Sequence, residues 1–198
     1  MLLYNSQVSG NCYKVRLLLA HLGLPYERRE MDVVDRSNRA ELIGTLNPAL
    51  RVPTLVFDDG RPLAESNAIL FHLADGTPYL PDERFARAGV LQWLFFEQNT
   101  HEPNIAVVRF WVALARERPS DELIDARRAG GYAALDAMES HLADHEFLTG
   151  GGYTIADIAL YAYTHVAGEG GFDLGRYPVV GAWLARVAGQ PGHVAISD

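Results

Sequence analysis

The chain has 198 residues, enough to bury a core as one large domain or two small ones. Its formal net charge is -8 and no run of Lys or Arg interrupts the acidic balance, which excludes the basic footprint a nucleic-acid partner requires. The single cysteine, Cys12, rules out an internal disulfide and a cysteine-based zinc cluster and fits a reducing compartment, so a cytoplasmic location is expected. The opening "MLLYNSQVSGN" lacks both a charged n-region and a continuous h-region. No later stretch stays apolar for the ~20 residues a membrane span needs, so no membrane partner is expected.

Residues 2–5, "LLYN", predict a short strand. From Asn11 the apolar positions Val15, Leu18, Leu19 and Leu22 recur at helical spacing, with Gly23 as C-cap and Pro25 just beyond. "YERREMDV" (26–33) predicts an exposed second strand. A helix-sized connection then leads to "NPALRVP" and the apolar run "TLVF", so the chain opens as a βαβ unit. "DDGR" (58–61) is a hairpin turn between "TLVF" and "PLA", after which Ser66 can cap a helix carrying Ile69, Leu70 and Leu73. The order through residue 75 is βαβαββα.

Composition changes at "DGTPYLPDE" (75–83), which reads as a linker. Everything beyond it predicts helix: a long segment from about Arg84 to Glu117, another from about Asp121 to Leu142, and no strand. Pro103 inside the first segment removes a backbone donor and crowds the carbonyl near Asn99, which should bend the helix there. "YTIADIALY" offers Thr154 as N-cap and Asp157 as its capping-box partner, a structural device with no chemistry assigned. The glycine clusters "TGGGY" and "GEGG" follow no strand and read as helix connections. "HE" at 101–102 lacks a second His at the zincin spacing, so no metal site is expected.

The ordered series "SGNCYKVRLLLAHLGLPYE", "NPALRVPTL", "ESNAIL" and "YTIADIALY" resembles the cytosolic glutathione S-transferases over nearly the whole chain, most nearly bacterial serine-type members with a theta- or zeta-like opening. The resemblance implies an α/β thioredoxin-like domain (1–75) that binds glutathione. It further implies a linker (76–83) and an all-α domain (84–198) that contributes the second-substrate pocket. Glutathione would be co-substrate, a small electrophile the second substrate, and a homodimer the assembly.

Site residues follow from residue chemistry and resemblance together. Pro53 enters a strand after a loop, where the family has a cis bond, and by resemblance the Val52 backbone pairs with the cysteinyl part of glutathione. Arg51 could form a bidentate pair with the glycyl carboxylate or be a solvated loop cation. Ser66 at a helix N-terminus and Glu65 before it suit the γ-glutamyl carboxylate and ammonium; the plain alternative for Ser66 is an N-cap. By resemblance Asn99 reaches glutathione across the dimer interface, and His101, Ile105, Val108, Arg109 and Val112 line the second-substrate pocket. Core packing is the competing role for Ile105, Val108 and Trp111.

Such an enzyme must form a thiolate near neutral pH from a thiol with pKa ~8.5. Lowering it by about two units needs roughly 2.7 kcal/mol of preferential thiolate stabilisation. A hydroxyl hydrogen bond and the free N–H groups of the first helix could supply this. Ser9, at the strand-to-helix turn, fits that role; Ser6 is the competitor in the same loop and Tyr4 sits too early. The spacing Ser9-x-x-Cys12 is that of a thioredoxin-type pair with the attacking position replaced by serine, which leaves Cys12 as a small buried hydrophobe. The expected activity is conjugation of glutathione to an electrophile. The alternatives are glutathione-dependent isomerisation or dehalogenation, a glutathione-binding module without turnover, and a thiol-disulfide oxidoreductase, which would want Cys at position 9.

Overall fold

The apolar opening forms strand β1 (Leu2–Asn5) in the computed structural model, which describes residues 1–198. It is followed by α1 (Gly10–His21), β2 (Glu27–Glu30), α2 (Arg39–Ile43), β3 (Thr54–Val56), β4 (Pro62–Ala64) and α3 (Ser66–Leu73). The sheet order is β2-β1-β3-β4, with β1 parallel to β2 and antiparallel to β3. Register places Leu3 opposite Leu55 and Leu2 opposite Val56. Side chains alternate across a pleat, so Leu3 and Leu55 share one face, where they pack with Val15, Leu19 and Ile69. The other face gathers Tyr4, Met31 and Ile43, with Leu2 and Val56 against them. Edge strand β2 exposes all four side chains of "ERRE", charges that discourage pairing with another chain.

Helix α1 ends where Gly23 takes φ +63, and Leu24 N–H closes onto Leu19 C=O at 3.0 Å. A Cβ at Gly23 would meet nothing within 4 Å, so left-handed backbone rather than space is what selects glycine there.

The remaining elements are helical: α4 (Arg84–Phe96), α5 (Glu102–Arg109), α6 (Asp121–Leu142), α7 (Ile155–Thr164) and α8 (Pro178–Ala188). The segment expected as one helix from 84 to 117 is broken into α4, a π-helical turn at Glu97–His101, α5 and a second π turn at Phe110–Leu114. Pro103 gives the reason for the first: without its N–H the carbonyl of Asn99 has no α-helical donor, and Glu102 N–H reaches back to Glu97 C=O instead. The helical path stops at Leu114, because Ala115 is extended. No helix is long and apolar enough to cross a membrane.

The chain divides into two compact units, Met1–Asp75 with Pro191–Asp198, and Gly76–Gln190. This revises the sequence-based boundaries at both ends of the helical region. Residues 76–83 go with the helices, because Ile155 N–H bonds Tyr79 C=O at 3.0 Å and the Tyr79 and Tyr153 rings meet edge to face. Residues 191–198 go with the first unit, whose side chains take up their carbonyls.

In the second unit Thr154 and Asp157 form the expected capping box. Asp157 does more than cap: its carboxylate also accepts Leu148 N–H and Trp183 Nε1–H, both at 3.0 Å, tying α8 to the start of α7. The pair Gly130–Gly131 lies within α6, where glycine ordinarily weakens a helix. A Cβ at Gly131 would overlap the Phe172 ring and stand 3.2 Å from Ile105, and one at Gly130 would stand 2.6 Å from the Asn104 amide. These glycines allow α6 to approach α5 and the turn beyond α7. Gly131→Ala should therefore cost about 1–3 kcal/mol by overpacking despite its better helix propensity. Gly89→Ala in α4, where nothing lies within 4 Å, should instead gain about 0.5–1 kcal/mol in the same urea unfolding experiment.

Candidate functional site

The loop between β1 and α1 carries the candidate thiol-activating residue. Ser9 is the N-cap of α1, with extended backbone, and its Oγ accepts Cys12 N–H at 3.4 Å. Helix α1 thus begins at Gly10, one residue before the sequence reading placed it, and no acidic side chain in its first turn offsets the positive end of its dipole. Ser9 is half-buried and reachable, whereas Ser6 is 4 % exposed. Ser6 works through its backbone: its N–H donates to Cys12 Sγ at 3.2 Å, and its C=O accepts Ser9 N–H at 3.0 Å. Tyr4 is packed in the core with Met31 and Ile43, under the Arg29 guanidinium, so it cannot replace Ser9.

Cys12 is fully buried, and burial pushes its thiol up to about 11 against the pull of the Ser9 hydroxyl, the Ser6 N–H and the Arg16 charge. It is a packing residue that stays protonated at neutral pH. The Ser6 N–H is the backbone group directed at its sulfur, while the Ser9 hydroxyl accepts from the Cys12 N–H.

The loop into β3 is held from inside. Arg39, itself buried, donates to Leu50 C=O at 2.9 Å and to Asp32 C=O at 2.8 Å. Asn47 Nδ2 and Thr54 Oγ1 both donate to Arg51 C=O, at 2.9 and 3.0 Å. Leu50 takes φ +53 in this loop, and the Val52–Pro53 bond is cis. These contacts draw in the carbonyls of residues 50 and 51, while the Val52 backbone makes no hydrogen bond within the chain. The Arg51 side chain is exposed.

At the start of α3 the arrangement differs from the sequence expectation. Glu65, not Ser66, occupies the N-cap position, with φ +66 and no side-chain cap. A non-glycine residue in that region is uncommon, and such strain is often found where a site must be shaped. Ser66 is the first helical residue, and its buried hydroxyl donates to Asn11 Oδ1 at 3.0 Å. The Ser66 hydroxyl is thus turned towards α1, and the Glu65 side chain makes no cap to the first turn of α3.

Sequence reasoning missed the cationic and amide residues that brace these loops. Lys14 Nζ donates to Asn11 Oδ1 at 2.7 Å and lies 3.4 Å from Ser66 Oγ and 3.5 Å from Asn67 Oδ1. Lys14 and Arg16 are buried along with every other side chain from Cys12 to Leu19, so two cations in "CYKVRLLL" were the only signal available.

In the second unit Asn99 is exposed on the first π turn. His101 is buried, with Nε2 and Thr164 Oγ1 2.9 Å apart, and Ile105 and Val108 are core residues. Arg109 is buried and pairs through Nε with Glu169 at 2.8 Å. Val112 is exposed, and Trp111, expected in the core, is only half-buried because it falls on the second π turn.

Comparison with known proteins joins these features. Family models for the glutathione S-transferase N-terminal and C-terminal domains match residues 8–75 and 121–186. The crystal structure of a glutathione S-transferase from Pseudomonas fluorescens Pf-5 is 48 % identical, with a TM-score of 0.94 over 100 % of this chain and 98 % of that one. Glutathione S-transferase 2 of Anopheles gambiae is 30 % identical over 94 % of this chain and 90 % of its own length. Protein URE2 of Eremothecium gossypii is 28 % identical over 97 % of this chain, which spans only 66 % of that protein. With both domain models matched in order on a β2-β1-β3-β4 sheet and a following set of helices, the chain belongs to the glutathione S-transferase family.

Proposed function

We propose that the protein is a glutathione transferase that attaches the glutathione thiolate to a small electrophile. The γ-glutamyl carboxylate docks on the N–H groups at the start of α3, with Glu65 for its ammonium. The Val52 backbone pairs with the cysteinyl unit beside Pro53, and Arg51 takes the glycyl carboxylate. Ser9 donates a hydrogen bond to the glutathione sulfur and keeps its own proton throughout. The thiol's proton goes to solvent, the thiolate attacks the electrophilic carbon, and the displaced group or new carbanion leaves or is protonated from water. Asn99 and Val112, exposed on the helical unit, remain candidates for contacts to glutathione across a homodimer and to the electrophile. His101, Ile105, Val108 and Arg109 shape the second-substrate pocket from behind, because their side chains are occupied in internal packing and bonding.

The observation that carries this reading is Ser9 itself: a reachable hydroxyl capping α1 at the end of a short loop from β1. The test is calorimetric titration with glutathione, combined with thiolate absorbance of the complex against pH. The bound thiol should titrate about two units below ~8.5 in the wild type, and Ser9→Ala should raise it by about one unit, a loss of roughly 1.4 kcal/mol. Absence of binding at millimolar glutathione would overturn the proposal. Turnover of aryl halides, isothiocyanates, peroxides and maleylacetoacetate analogues then assigns the reaction. A relative named transcriptional regulator URE2 in Saccharomyces cerevisiae, 27 % identical over 97 % of this chain, favours one second reading, a glutathione-binding module without turnover, which predicts binding but no product from any of these.

The division of labour between the two thiols has its own consequence. Because the Cys12 thiol titrates at about 11 in the folded chain and at ~8.5 in the unfolded one, folding favours its protonated form. That contribution is complete below pH ~8.5 and is lost as pH rises towards 11, amounting to roughly 3 kcal/mol once both states are ionised. Wild type should therefore lose more stability than Cys12→Ala across that interval in parallel urea titrations, and iodoacetamide should leave folded Cys12 unmodified at pH 7.5.

A further inference from the structure

We propose that Arg16 is a positioning residue: it binds the segment Pro191–Asp198 to the loop that carries Ser9, so that docking of this segment sets how well the site stabilises a thiolate. The proposal deepens the glutathione reading above and rests on it for the role of Ser9.

The Arg16 side chain is buried, and each hydrogen bond it makes ends on a neutral oxygen. Nη1 donates to Asn5 Oδ1 at 2.8 Å and lies 3.5 Å from Ser6 C=O. Nη2 donates to Gln7 C=O at 3.2 Å and to Ile196 C=O at 2.7 Å. Nε is buried with no hydrogen-bond partner. Burying a guanidinium without a paired carboxylate is costly, whereas an apolar side chain filling the same space would be buried at no such penalty. What arginine supplies in return is a rigid planar fork able to hold two chain segments at once. One segment is Asn5-Ser6-Gln7, the run from β1 towards Ser9, in which Ser6 C=O also receives Ser9 N–H. The other is the segment at 191–198.

That segment is held almost wholly through its carbonyls. Gln7 Nε2 donates to Ile196 C=O at 2.8 Å and to the backbone oxygen of Asp198 at 2.9 Å. Arg28 Nη1 donates to the same Asp198 oxygen at 2.7 Å and to Gln7 Oε1 at 3.3 Å. Tyr13 O–H donates to Val194 C=O at 2.7 Å, and the His21 ring is 2.9 Å from Pro191 C=O. Loss of the segment would take from Arg16 its shortest hydrogen bond and open its guanidinium to water. Solvation would then compete with the carbonyls of Ser6 and Gln7, and the loop under Ser9 would loosen.

The test loosens the segment from its far side. Tyr13→Phe and Arg28→Gln are made singly and together. Tyr13→Phe keeps the ring under Arg16 and the backbone bond to Ser9 C=O and removes only the hydroxyl's bonds, that to Val194 among them. Arg28→Gln removes the bond to Asp198 together with its contact to Gln7 Oε1, so the single Tyr13→Phe variant is the cleaner arm. Arg29→Gln, which deletes a neighbouring charge that does not contact the segment, controls for charge alone. Hydrogen exchange should quicken at residues 191–198 and also at 6–9. The thiol of bound glutathione should titrate higher by about half a unit or more, roughly threefold less thiolate at neutral pH. Arg16→Lys, which keeps the charge and loses the fork, should raise the thiol pKa at least as far while 191–198 also exchange faster. Faster exchange at 191–198 with residues 6–9 and the bound thiol pKa unchanged would overturn the proposal. So would an Arg29→Gln variant that moves the thiol as much as the others, or unchanged exchange at 191–198 in every variant. If the wild type binds no glutathione, the catalytic reading fails, and exchange at 6–9 still decides whether the two segments are coupled.

Discussion

Strand β1 is paired on both sides, parallel to β2 and antiparallel to β3, and this double pairing fixes where the chain must leave the sheet and begin α1. Leu3 is committed to the face it shares with Leu55, so a slip of one residue would turn every β1 side chain to the opposite face. Asn5, the last paired residue, then leaves only Ser6 to Ser9 to reach the helix. A short loop on a fixed strand end gives Ser9 little freedom.

The same constraint accounts for the unusual burial of charge around this loop. Covered by a sheet face, α3 and the segment 191–198, helix α1 has no polar face to offer solvent; Lys14 and Arg16 lie under cover and satisfy loop and side-chain oxygens instead. Arg39 does the same for the loop before Pro53. Three buried cations thus brace the β1–α1 loop, the start of α3 and the loop before Pro53. None was apparent from hydrophobic periodicity, since a long cationic side chain is normally read as solvent-facing.

In the helical unit, backbone irregularities decide which side chains face where. Each π turn inserts an extra residue and rotates all that follows relative to an uninterrupted helix. This is why Trp111 is half-buried and Val112 exposed although both were read from one continuous segment. The glycines of α6 act in the opposite sense, giving up propensity for close approach to Asn104, Ile105 and Phe172.

The sequence by itself determined the element order through residue 75, the helical character of the remainder, the capping box at Thr154 and Asp157, and the packing role of Cys12. All are local: alternation, helical spacing, turn chemistry and caps act over a few neighbouring residues, and tertiary packing had only to accept them. The tertiary structure decided the rest. It moved the N-cap of α3 from Ser66 to Glu65, because the Ser66 hydroxyl finds Asn11 on a different helix. It also returned residues 191–198 to the first unit, because their carbonyls meet donors from Gln7, Tyr13, Arg16 and Arg28 that lie more than 160 residues away in the chain. Main-chain carbonyls are the same in every residue, so the partners they will find leave no mark on the sequence that carries them.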